Sequence, residues 1–284
     1  MKYFLLLALL TSQLFSLNIS LHNSSVANGK TAIIELKKEK NLNYIKILIG
    51  KKKLTIYKHP SKKELFYALI PINYYKKPTK LKVEIVYKEN KIQKIETVFL
   101  KVIDAKYKKE SIKVQKSKVT LGKKDRKRAS REYSEAMSIY KHSTKKSYIS
   151  SKFIAPMKSK ITSPFGKARI YNNILNGYHS GTDFRAKVGT PIIASNSGKV
   201  VLVKDRFYSG GSVVIDHGQG IYTCYFHMSK FDVKKGEIVE KGELIGLSGK
   251  SGRVTGPHLH FSARVNGQQV DPLQLIKLLN NNLF

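Results

Sequence analysis

Five of the eight histidines of this 284-residue chain fall within residues 151–284: His179, His217, His227, His258 and His260. The stretch His179-Ser180-Gly181-Thr182-Asp183 sets an imidazole and a carboxylate four residues apart, and His258-Leu259-His260 sets two imidazoles two apart. In a strand, residues i and i+2 project from the same face, so His258 and His260 would point together while Leu259 enters the core. Two imidazoles on one face, with a carboxylate and a histidine from elsewhere, could build a mononuclear zinc site. Catalytic zinc typically takes three nitrogen or oxygen ligands from the protein and keeps one position for water.

Such a cluster needs a rigid frame, and the surrounding sequence reads as one. Pro191-Ile192-Ile193-Ala194, Lys199 to Val203 and Ser212 to Asp216 are short strand-like runs. Glycine turns such as Gly210-Gly211 and Asp216-His217-Gly218-Gln219-Gly220 separate them, the pattern of a compact antiparallel sheet. From Asn18 to Asp104 the chain also reads as strands: Thr31 to Leu36, Tyr44 to Ile49 and Leu81 to Tyr87 are rich in β-branched and aromatic residues. Gly50-Lys51-Lys52 and Lys88 to Lys91 are the expected turns, and a small β-sandwich is the natural architecture. Between the halves, Lys106 to Lys118 is strongly basic and Gly122 to Tyr140 is rich in helix formers, which reads as a linker holding one helix. The fold expected is therefore mainly β: a sandwich-like domain over 17–104, a basic linker over 105–150, a sheet domain over 151–276 and a tail over 277–284.

Residues 154–275 resemble the catalytic domain of the lysostaphin-type (LytM-like) zinc metallopeptidases. The matching pieces are Ile161-Thr162-Ser163-Pro164-Phe165-Gly166, Tyr178 to Phe184, Gly189-Thr190-Pro191-Ile192, Tyr225-Phe226-His227-Met228, Gly242 to Gly246 and Gly256-Pro257-His258-Leu259-His260-Phe261. The resemblance implies one Zn2+ per chain, held by His179, Asp183 and His260, with His227 and His258 as catalytic histidines that do not bind metal. There is no His-Glu-x-x-His motif, so a histidine must take the proton of the attacking water, which an imidazole titrating near ~6.5 can do. We expect His258 as base and His227 as oxyanion stabiliser. His217 lies in a turn that matches a structural position, and Cys224 sits in an apolar strand as a buried thiol. The implied substrate is peptidoglycan. A weaker likeness of Glu64 to Ile72 to accessory domains of cell-shape endopeptidases from curved or helical Gram-negative bacteria points to D,D-endopeptidase action on D-Ala–diaminopimelate cross-links, with D,D-carboxypeptidase activity beside it. A latent enzyme, self-inhibited by its N-terminal domain, or a non-catalytic activator of another hydrolase is the alternative.

Composition sets outer limits. There are 53 Lys plus Arg against 19 Asp plus Glu, a formal net charge of +34. Residues 1–150 carry a net +24 (35 basic, 11 acidic) and residues 151–284 a net +10 (18 basic, 8 acidic). Only eight of the basic residues are arginine, whereas sequence-reading nucleic-acid proteins lean on arginine's bidentate contacts, so no specific nucleic-acid partner is expected. One cysteine excludes an intramolecular disulfide and an all-cysteine zinc site. Met1-Lys2-Tyr3 followed by an apolar run from Phe4 to Leu10 resembles a signal peptide ending near Ser16, which implies export, to the periplasm for a wall enzyme. No later stretch is apolar enough for a transmembrane helix.

Overall fold

In the computed structural model, residues 17–22, 24–112, 121–171 and 175–284 are described. The signal-peptide reading of 1–16 and the middle of the linker, 113–120, lie outside the described residues. The alternating and β-branched runs of the N-terminal half form two facing sheets. One holds β1 (Ile19–His22), β3 (Thr31–Lys37), β6 (Tyr57–Lys58) and β7 (Leu65–Pro71) in the order β1-β3-β7-β6. The other holds β2 (Ser25–Ala27), β4 (Leu42–Ile49), β5 (Lys52–Leu54), β8 (Thr79–Glu89) and β9 (Ile92–Ile103) in the order β2-β9-β8-β4-β5. Ala32, Ile34, Leu36, Ile47, Ala68, Ile70, Val83, Ile85 and Leu100 fill the space between them, so this half is a sandwich. The β8–β9 hairpin closes through Asn90 and Lys91 at φ 48° and 70°, the left-handed pair whose twist matches that of the strands.

The linker holds more than the helix expected of it. Helix α1 (Lys123–Lys141) buries Glu132, Ala136 and Tyr140, a stripe with a four-residue repeat; Ala136 and Tyr140 pack against Leu202, Val214, Tyr222 and Cys224, and Glu132 accepts from Arg128 and the Phe207 amide. Cys224 is fully enclosed there with the Tyr140 hydroxyl 3.4 Å from its sulfur, and burial pushes the thiol's pKa up. Ahead of the helix, β10 (Lys109–Ile112) pairs in parallel with β12 (Ala168–Tyr171), which forms a hairpin with β13 (Leu175–Tyr178). A hairpin edge left open would present unpaired amides, and the linker strand covers it.

The C-terminal sheet runs β11 (Ile161–Ser163), β14 (Thr182–Arg185), β21 (His258–Val265), β18 (Ile221–Phe231), β17 (Gly210–Asp216), β16 (Gly198–Arg206) and β19 (Ile238–Val239). Strand β15 (Pro191–Ile193) pairs with β20 (Leu244–Ser248), which joins β18, and β22 (Gln268–Val270) joins β21. Phe184, Ile192, Val213, Ile215, Tyr225, Leu259 and Phe261 pack as the core of this half. Residues 277–284, set apart above as a tail, hold the last turns of helix α2 (Pro272–Asn282). Asp271 caps that helix by accepting from the Leu273 and Gln274 amides at 3.1 Å, with proline at its first position.

A third core joins the halves. Ile33, Tyr67 and Leu69, on the outer face of the first sheet, pack against Val265, Leu275, Leu278, Leu279 and Leu283. This is why β3 reads as a continuous apolar run instead of an alternation: it is buried on both faces. Nearer the histidines, Tyr74 stacks flat on Tyr178 at 3.8 Å and donates to the Gly166 carbonyl at 3.0 Å. Among the described residues no helix is long and apolar enough to cross a membrane.

His217 belongs to this framework. It is fully buried, with Nδ1 2.8 Å from the Ser197 carbonyl and Nε2 2.8 Å from the Thr223 hydroxyl. Burial takes its pKa from 6.5 down to about 4. The unfolded chain therefore binds the proton first as pH falls. The stabilisation from the neutral ring is complete above 6.5 and is lost as pH drops from 6.5 towards 4, by at most ~1.4 kcal/mol per pH unit. Urea unfolding of the wild type and His217→Gln at several pH values between 4.5 and 7.5 checks this: the variant should show a shallower loss of stability, and equal slopes would contradict it.

Candidate metal centre

Register decides which side chains meet. Strands β14 and β21 pair antiparallel with Asp183 directly opposite His260 and Arg185 opposite His258. On the other flank of β21, Phe226 of β18 faces His260. His258 and His260 thus share the face that carries Asp183, while Leu259 is fully buried on the other side. His179 arrives from the turn before β14. That turn passes so close to β21 that a Cβ on Gly181 would lie 2.4 Å from the Phe261 carbonyl oxygen and 2.5 Å from His260 Nε2. Only glycine permits this approach.

The three ligand candidates converge tightly and are all buried. His179 Nε2 lies 2.9 Å from Asp183 Oδ1 and 3.1 Å from His260 Nδ1, and His260 Nδ1 lies 2.8 Å from Asp183 Oδ1. His179 Nδ1 donates to the Pro164 carbonyl at 2.8 Å, which leaves the neutral ring's Nε2 as a lone pair aimed at a carboxylate oxygen. Two acceptors so placed repel unless a cation sits between them. The triangle's edges are also near the ~3.3 Å that separates ligand atoms held ~2.0 Å from a tetrahedral zinc. The donor set therefore fits a zinc ion. Burial lowers His260 to about 4.

His227 and His258 stand beside the cluster with ring centroids 4.8 Å apart. His258 donates through Nδ1 to the Gly256 carbonyl at 2.8 Å and holds Nε2 3.7 Å from Asp183 Oδ1. His227 donates through Nδ1 to the Ser251 carbonyl at 2.8 Å. Each ring consequently turns an unprotonated Nε2 to the cleft. His227 reaches it through a bulge: Tyr225 pairs with Val213 and Met228 with Gly211, so two residues of β18 oppose one of β17, and His227 has φ 65°. A left-handed histidine is uncommon and marks a place where function and backbone compete. Burial, then the nearby His260 and His258, lower its pKa to about 3, so its ring is neutral. A neutral ring that donates to Ser251 presents an acceptor to the cleft, so the stabilising role expected of His227 would need a second proton on the ring.

Two depressions flank the cluster. One is lined by Tyr178, Ser180, Tyr208, Phe226, His227 and Arg253, the other by Glu110, Ser111, Thr162, Thr255, Pro257 and His258, and Arg169 lines both. Arg169, Tyr208, Arg253 and Glu110 were not singled out from the sequence. No spacing marks them, because three lie on separate elements of the C-terminal half and Glu110 comes from the linker.

Comparison with known proteins agrees with this geometry. Residues 177–272 match Peptidase family M23. This match spans about a third of the chain. The chain is 49% identical over 96 residues to the peptidoglycan DD-endopeptidase ShyA of Vibrio cholerae, covering 34% of this chain and 22% of that protein. The chain is 41% identical over 119 residues to the DD-carboxypeptidase/endopeptidase Mpg of Neisseria meningitidis, covering 41% of this chain and 27% of that one. The chain thus spans about a quarter of the length of these relatives. A solved structure described as a peptidase M23 of Pseudomonas aeruginosa shares the wider fold: TM-score 0.68 at 28% identity, over 89% of this chain and 95% of that one. At 89% coverage this likeness extends beyond residues 177–272 into the N-terminal half.

The bulge gives a test. A β-branched residue at φ 65° is strained by ~1–2 kcal/mol, whereas asparagine tolerates that region. His227→Val should unfold at lower urea than His227→Asn by about that amount, and equal midpoints would remove the strain argument.

Proposed function

We propose that the chain is an exported, zinc-dependent peptidoglycan hydrolase that cuts the D-Ala–diaminopimelate cross-link, with D,D-carboxypeptidase activity as a secondary reaction and cell-wall remodelling and cell shape as its setting. The observation that carries this is the convergence of His179, Asp183 and His260 in an open cleft beside two further imidazoles. The relatives named for DD-endopeptidase activity support the choice of substrate.

When bound, zinc supplies Lewis-acid polarisation of the scissile carbonyl and of the attacking water. His179, Asp183 and His260 would hold it, with His179 fixed by its bond to Pro164. His258 takes the proton of the attacking water at Nε2. Its side chain is 18% exposed, so solvent can support the imidazolium that results. It then returns the proton to the leaving amine. Buried and neutral His227 accepts a hydrogen bond from the same water at Nε2 and orients it, a role its pKa of about 3 suits better than proton transfer. The basic surface draws the chain to an anionic wall.

A resting form occluded by the linker is the second reading, favoured by Glu110 and Ser111 of β10 on the rim of the cleft. Specific cleavage within 113–120 would then raise the rate, and an unchanged rate would discard it.

Incubating the zinc-loaded protein with diaminopimelate-type sacculi and weighing the soluble muropeptides tests the main reading. Cross-linked dimers should fall as tetrapeptide monomers rise, and loss of pentapeptides would show the carboxypeptidase reaction. Unchanged muropeptides would oppose the proposal and leave the non-catalytic activator. His258→Ala should keep stoichiometric zinc and lose roughly 10²–10⁴-fold in rate. Loss of the metal would instead make His258 a ligand.

A further inference from the structure

The linker strand carries a carboxylate into the surroundings of the ligand triad. Parallel pairing of β10 with β12 sets Glu110 beside Arg169. Glu110 Oε2 lies 3.5 Å from Arg169 Nε, and its other oxygen lies 3.3 Å from Lys167 Nζ. Both Glu110 Oε2 and Arg169 Nε are buried without a hydrogen-bond partner, so their mutual ion pair is what compensates them. The far end of the same guanidinium lies 3.5 Å from Asp183 Oδ2 and 3.4 Å from the Ser163 hydroxyl. Asp183 turns its other oxygen, Oδ1, to His179 and His260, and the Ser163 hydroxyl lies 3.2 Å from His179 Nδ1. One arginine thus touches the carboxylate of one ligand and the support of another.

We infer that Arg169 and Glu110 form a positioning pair for the metal site, Arg169 holding Asp183 in a single-oxygen orientation and Glu110 holding and neutralising Arg169. This rests on reading His179, Asp183 and His260 as metal ligands. The physical case has two parts. A carboxylate free to rotate loses orientation as a ligand, and groups that fix ligands from behind typically change metal affinity by ~10–100-fold when removed. An uncompensated guanidinium next to a divalent cation also repels it, in a partly buried place where screening is weak. The linker, on this account, is part of what makes the site bind metal.

Zinc affinity of the full-length protein, measured by competition with a chromophoric chelator, tests the pair without using turnover. Glu110→Gln should weaken zinc binding about tenfold, and Arg169→Met by at least as much. Because Glu110 acts through Arg169, adding Glu110→Gln to Arg169→Met should cost little more. Lys167→Met, which removes only the ammonium beside Glu110 and keeps the backbone bond to His179, should stay within about twofold of wild type. Circular dichroism and melting of the metal-free proteins check that each variant folds; should Glu110→Gln not fold, Glu110→Asp, which keeps the charge but shortens the reach, takes its place with the same expected direction. Wild-type affinity in the folded Glu110 variant, or a full tenfold effect persisting in the Arg169→Met background, would overturn the proposal. A chain that binds zinc as described but leaves muropeptides intact would sink the proposed reaction and leave this inference standing.

Discussion

Three ligand atoms held within 3.1 Å of one another are the constraint around which the chain is organised. Such groups gather at these distances only where the backbone forces them together and a proton or a cation can be shared between them. The force comes from one register. With Asp183 opposite His260 across β14 and β21, a slip by a single residue would turn both into the core and bring Phe184 and Leu259 out. The apolar alternation of these strands fixes the register, so core packing and metal geometry are specified by the same residues.

The rest of the molecule stiffens that register from behind. Phe184, Leu259 and Phe261 anchor β14 and β21 in the lower core, and the turn carrying His179 is clamped between Gly181 and the Tyr74–Tyr178 stack. That stack reaches across from the sandwich domain. Together with the core formed by β3, β7 and α2, it makes the N-terminal half a structural support of the site. The linker strand adds a second support through Glu110 and Arg169.

Much of this was legible in the residues. The i, i+2 spacing of His258 and His260 gave their shared face, and the β-branched runs located the main strands of both halves. The buried, structural character of His217 also followed from its place in a glycine turn. The misses have physical causes. Sequence spacing reports neighbours along one element, and Glu110 meets Arg169 only because a linker strand completes an open hairpin edge. The C-terminal tail proved to be helix because Leu275, Leu278 and Leu279 form a stripe that finds its partner on the outer face of the sandwich, a surface no local pattern reveals. The role open to His227 turns on its tautomer, which the Ser251 carbonyl beside Nδ1 sets and which no sequence spacing reveals.

The most direct measurement is the metal content of the purified chain after equilibration with zinc and removal of the excess, read by native mass spectrometry beside His260→Ala and His258→Ala. The account predicts one zinc in the wild type and in His258→Ala, and none in His260→Ala. A wild type that emerges without metal, or a His260→Ala protein that keeps its zinc, would contradict it.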